Sequence, residues 1–111
     1  MKVLFLGAAL CLVCSVAYAQ TWQAQPRLMK ERSVASCTDD GTERTMIVSG
    51  NKLTMKTVVS YDATIRADGT VDEIIRLPSG RRLRLTGNVQ TRDLELTNEQ
   101  YGCRYKLVVK Q

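Results

Sequence analysis

The chain has 111 residues, sixteen Lys and Arg against eleven Asp and Glu, no histidine, and only 5% aromatic residues. That length supports one small domain with one modest core. The missing histidine removes the commonest general base and the commonest metal ligand, and the few aromatics argue against a stacking surface for single-stranded nucleic acid.

The first nineteen residues read MKVLFLGAALCLVCSVAYA. Lys2 supplies a positive start, Val3 to Val16 form an apolar run broken by Gly7 and Ser15, and Ala17-Tyr18-Ala19 has the small-x-small form of a signal-peptidase site. The run is shorter than the roughly 20 apolar residues of a spanning helix. It reads as a secretory signal peptide (1–19) cleaved after Ala19, which sends the mature chain to the periplasm or the medium. Cleavage leaves 92 residues with fifteen basic and eleven acidic side chains, a net charge of +4.

Cys11 and Cys14 depart with the signal, so the mature chain keeps Cys37 and Cys103. Export favours a disulfide between them. Two thiolates without a histidine make a poor zinc site, which wants four N/S ligands, and the pair is not the C-x-x-C of a redox centre. By loop-closure entropy, a bridge over this separation stabilises by about 4 kcal/mol.

Residues 20–32 read as an N-terminal extension, with Trp22 plugging one end of the domain and Pro26 in a polar setting. From Ser33 onward, short Val/Ile/Thr/Leu runs alternate with turn residues. They predict about eight strands near 33–38, 43–49, 52–60, 62–67, 70–77, 81–90, 93–98 and 102–110. Gly50-Asn51 suits a two-residue hairpin loop that pairs Val48 with Leu53 and Met46 with Met55. Ala67-Asp68-Gly69 suits a three-residue loop that sets Ile65 opposite Val71, and Pro78-Ser79-Gly80 one that sets Ile75 opposite Leu83. A turn at Thr91-Arg92 pairs Val89 with Leu94 and Gly87 with Leu96. Along 82–90, Arg82, Arg84, Thr86, Asn88 and Gln90 share one face and Leu83, Leu85, Gly87 and Val89 the other, the mark of one wet and one buried side.

Short links between strands predict an all-β, antiparallel up-and-down meander over 33–111. Closure into a barrel, complete or nearly so, removes the two open edges. With Cys37 in the first strand and Cys103 in the last, the disulfide becomes the clasp of that barrel. A two-sheet β-sandwich bridged by the same disulfide is the alternative. The layout over 33–110 resembles the small secreted β-barrels of bacterial envelopes, including lipocalin-like barrels and barrel-type protease inhibitors. The resemblance is one of architecture: lipocalins carry Gly-x-Trp at their first strand, whereas Trp22 here follows Gln20 by two positions, and no functional residue is carried over.

Chemistry is sparse. There is no G-x-S-x-G elbow and no Gly-rich phosphate loop. Ser49-Gly50-Asn51-Lys52 matches S-x-x-K, but a hairpin explains the same four residues. Asp72 and Glu73 are adjacent and so face opposite sides of a strand. Glu73 shares parity with Val71 and Ile75 and is the candidate ligand anchor inside the barrel. Asp39, Asp40 and Glu43 read as a solvated acidic turn, without the spacing of a calcium loop. No metal site, cofactor or catalytic residue is expected. Between Ile74 and Arg92 there are five arginines and no acid, and the turn register places Arg76 across from Arg82. Arg84 is expected to pair with Glu99. Arg76, Arg82, Arg84, Arg104 and Lys106 compose a basic outer face. The expected function is a non-catalytic binding module of a bacterial envelope or secretome that meets an acidic protein or anionic glycan on that face. The alternatives are a small-molecule carrier in a lipocalin-like barrel and a barrel-type protease inhibitor.

Overall fold

The computed structural model describes residues 19–39 and 41–110, so residues 1–18 of the expected signal peptide, Asp40 and Gln111 lie outside the described residues. Eight strands are present: β1 (Ala19–Leu28), β2 (Arg44–Ser49), β3 (Lys52–Lys56), β4 (Ser60–Thr64), β5 (Thr70–Arg76), β6 (Arg82–Asn88), β7 (Asp93–Asn98) and β8 (Cys103–Val109). They form one antiparallel sheet in the order β4-β3-β2-β1-β8-β7-β6-β5, which curls into a nearly closed barrel. The single short helix among the described residues is a 3-10 turn at Lys30–Arg32. Among the described residues, no helix is long and apolar enough to cross a membrane.

The first strand departs from expectation. It lies at Ala19–Leu28, inside the stretch read as an extension, whereas 33–38 is a loop. Trp22, Ala24 and Pro26 alternate inward, an apolar set too weak in β-formers to announce a strand, and Pro26 by itself demotes one. The register explains how proline is tolerated. Lys110 N donates to Gln23 O and Met29 N to Arg104 O, so odd-numbered residues of β1 bond to β8. Pro26 therefore faces the β2 side, where pairing with β2 has already stopped at Ala24↔Arg44. Its missing N–H costs no ladder bond. Leu28 N faces the same side and is satisfied by the Asp39 carboxylate at 2.8 Å.

The disulfide forms as expected, Cys37 to Cys103 with Cα atoms 5.7 Å apart. Its expected role as clasp between first and last strands is corrected. Cys37 sits in the loop after β1, and that loop runs beside the start of β8, with Val34 N donating to Gly102 O and Arg104 N to Ser33 Oγ. The strands β1 and β8 are joined by a ladder of their own, from Ala24↔Val109 to Leu28↔Tyr105. The opening in the barrel is between β4 and β5, neighbours in sequence that share no ladder.

The turn at that opening has the expected form. Gly69 has φ +88, its N–H donates to Arg66 O, and Arg66 N donates to Thr70 O. The expected pair Ile65–Val71 is absent, because Ile65 N is already committed to Asn51 O on the far side of β4. Elsewhere the registers agree: Val48↔Leu53, Met46↔Met55, Ile75↔Leu83 and Arg76↔Arg82 all stand as read.

One further register is corrected. The β6–β7 ladder ends at Asn88↔Asp93, and the pairs are Gly87↔Leu94 and Leu85↔Leu96, two residues from those expected. A slip of two leaves every side chain on its expected face, so the alternation could not detect it. The loop is consequently four residues long, with Arg92 at φ +57. Val89 folds over the barrel end, its N–H donating to Gly69 O. Gly87 has φ +136, and a Cβ there would overlap the Asp93 carbonyl oxygen on β7. That close approach is what the glycine permits.

The interior is filled by side chains. Met46, Leu53, Val71, Leu85, Leu94 and Leu107 are completely enclosed, with Trp22, Met55, Ile75 and Leu96 packed among them. Trp22 belongs to this core near one end, under the Arg92 guanidinium at 4.8 Å.

Candidate binding surface at the disulfide end

The expected basic face divides in two. Arg84 makes a two-pronged pair with Asp72, Nε to Oδ1 and Nη2 to Oδ2, both at 2.9 Å, and lies 3.8 Å from the expected partner Glu99. The hydrogen bond from Arg84 holds the Asp72 carboxyl below its ordinary value, and reciprocally the Arg84 guanidinium is raised. Lys106 donates to Asp93 at 2.8 Å, which raises the ammonium, and Arg104 lies 3.9 Å from Glu95. These carboxylates come from neighbouring strands, so their distance in sequence hides them. Such exposed pairs contribute little stability, yet they cancel charge.

Arg76 and Arg82 are different. They are directly opposed across β5 and β6, both exposed, and neither meets a carboxylate among the described residues. Arg81 follows the same pattern and lies 5.4 Å over the Tyr101 ring, a cation–π contact with no acid. Of the expected basic face, the part without a carboxylate partner thus shrinks to Arg76 and Arg82, with Arg81 beside them at the β5–β6 turn.

Glu73 lies on the inward face of β5, and its carboxylate accepts the Thr64 N–H of β4 at 3.2 Å. A side chain bridges the opening where a ladder bond would otherwise be. Ser49 and Lys52 are a cross-strand pair that closes the Gly50-Asn51 hairpin, and Lys52 lies 3.9 Å from Asp62. Asp39 is engaged by Leu28 N, and Glu43 by Lys110 at 2.7 Å. Among the described residues, no three His, Cys, Asp or Glu side chains gather as a metal site would need.

Both barrel ends carry a depression. At the end where β1 begins, an open hollow of about 560 Å³ lies between Gln20, Ile65, Arg66 and Gln90. At the disulfide end, a narrower recess of about 170 Å³ is walled by Pro26, Leu77, Leu83 and Leu96, with Arg44, Arg81, Asn98 and Tyr105 completing it. It adjoins a groove along Cys37–Cys103 that shares Arg81, Asn98 and Tyr105. Arg44 donates to Thr42 O, and the Tyr105 hydroxyl to Thr38 O. Around this end stand the exposed apolar residues Val34, Val59 and Tyr101, and Val58, which is 99% exposed at the β3–β4 turn.

Sequence reasoning passed over Arg81, Asn98 and Tyr101. Asn98 was detectable: it continues the inward parity of Leu94 and Leu96, and a polar residue at an inward position is the informative exception. Arg81 and Tyr101 sit in separate turns, which only the fold brings together. No family model matches the chain, and no curated protein or solved structure is significantly similar to it.

Proposed function

We propose that the protein is an exported, non-catalytic interaction module of a bacterial envelope or secretome that binds an acidic protein through the rim at the disulfide end. The observation that carries this reading is the opposed pair Arg76 and Arg82 without a carboxylate. Like charges directly across a ladder repel. The other three residues of the expected basic face have each acquired a counter-charge, and this pair has not. A partner's carboxylates would supply it, in the forked geometry that guanidinium groups favour. The Val58 turn stands at the same end, on strands next across the β4–β5 opening, and adds an apolar contact. The filled interior weighs against a carrier that uses the barrel lumen. The Val58 turn also supports a second reading, a barrel-type protease inhibitor that inserts this tip into a cleft.

The test is retention of the mature chain on an immobilised poly-glutamate peptide under a rising salt gradient. Arg76→Gln with Arg82→Gln is expected to elute at distinctly lower salt than wild type. Arg104→Gln with Lys106→Gln removes the same formal charge and is expected to shift elution much less. Equal shifts for the two doubles would mean that only net charge matters, and the reading would fall.

A further inference from the structure

We infer that the recess at the disulfide end is a binding site for a carboxylate that carries a short apolar group. This site is distinct from the Arg76–Arg82 pair and does not depend on it. Three observations converge. First, the recess has a floor of Pro26, Leu77, Leu83 and Leu96 and a volume of about 170 Å³. Apolar cavities of about 150 Å³ admit a benzene-sized group, so a short alkyl chain or one aliphatic side chain fits.

Second, Asn98 is 92% buried, being 8% exposed, and lines the recess. Its Oδ1 accepts the Tyr101 N–H at 3.3 Å, which fixes the amide's orientation and leaves Nδ2 as the free end. That Nδ2 has no hydrogen-bond acceptor among the described residues. That donor is still reached from the recess, since it is not among the sealed, unpartnered atoms of the described residues, and a ligand oxygen there can accept from it.

Third, Arg81 lines the same recess and meets an aromatic ring but no acid among the described residues. The Asn98 amide and the Arg81 guanidinium, with the Arg44 side chain in the same wall and four apolar residues beside them, match a planar carboxylate with a hydrocarbon tail. The carboxylate has two possible sources, a free short-chain acid or the C-terminal residue of a peptide chain.

The experiment is an NMR titration of the mature, disulfide-bonded chain with hexanoate, and in parallel with its neutral isostere hexanamide. The Asn98 side-chain amide and Arg81 Nε–H are expected to shift saturably with hexanoate and far less with hexanamide. Arg81→Gln, at an exposed site, is expected to weaken hexanoate about tenfold, the size of one charge-assisted hydrogen bond. Asn98→Asp keeps the shape, replaces the donor with a charged acceptor, and is expected to abolish binding. A third arm compares peptides ending in Leu with a free or an amidated C-terminus. Tighter binding of the free-ended peptide than of hexanoate assigns the site to chain termini, and the reverse assigns it to small acids. Absence of a saturable shift at Asn98, equal binding of hexanamide, or unchanged affinity in Arg81→Gln would each overturn the inference.

Discussion

The barrel has two junctions, and they are built in opposite ways. Strands β1 and β8 come from the two ends of the folded chain. They are held by a five-pair ladder, by backbone bonds from Met29 and Lys110 beyond it, and by the Cys37–Cys103 bridge beside it. Strands β4 and β5 are consecutive, share a well-formed turn, and still do not pair; Glu73 reaches across instead. Sequence proximity guarantees a turn but not a ladder. The junction between distant segments carries the larger loop-closure cost, and it is the one with covalent reinforcement.

The comparison breaks most sharply at the bridge. Replacing both Cys37 and Cys103 by Ser is expected to lower unfolding free energy by about 4 kcal/mol, read from urea denaturation of the mature chain. A loss below about 1 kcal/mol would mean that the β1–β8 ladder holds the distant ends unaided.

A smaller effect is expected at the opening. Glu73→Ala removes the carboxylate that accepts Thr64 N–H and is expected to cost about 1 kcal/mol overall. Amide exchange should accelerate selectively at Thr64 and its β4 neighbours, with little change in β1 or β8. Glu73→Gln keeps an acceptor and is expected to restore most of the protection. Uniform acceleration across the barrel would show that the two junctions open together.

The smallest effect concerns acid. Asp68 Oδ1 accepts both the Thr70 hydroxyl (2.6 Å) and the Thr70 N–H (3.0 Å), and these bonds hold its carboxyl below the ordinary 3.8. Asp72 is lowered as well, chiefly by the hydrogen bond from Arg84. A depressed folded-state value means that the stabilisation is fully present above the unfolded value and is lost as pH falls from about 3.8 through the folded one. Asp68 sits in the β4–β5 turn and Asp72 ties β5 to β6, so acid below about pH 3.8 should loosen the two flanks of β5 first. Asp68→Asn with Asp72→Asn is expected to flatten the decline of thermal midpoint below pH 4 without altering the order in which the junctions open.

Much of the arrangement was legible before any coordinates. Glycine chemistry located three turns, and with the period-2 pattern it set the β2–β3 and β5–β6 registers, including the Arg76–Arg82 opposition. The β6–β7 register escaped because a two-residue slip conserves facing. β1 escaped because Trp22, Ala24 and Pro26 carry little β signal, and its neighbours β2 and β8 define it. The basic face was half legible: its residues could be named, but their carboxylate partners stand on other strands.

The sequence by itself determined the all-β class, the meander, the disulfide partners and the inward and outward faces, because these follow from local alternation, turn geometry and the two cysteines that lie beyond the N-terminal apolar run. Tertiary structure alone decided where the barrel stays open, which cations lack a carboxylate partner, and that Asn98 and Arg81 meet at one recess. Those outcomes depend on which strands become neighbours, and an interaction across the barrel leaves no trace in the residues beside it in the chain.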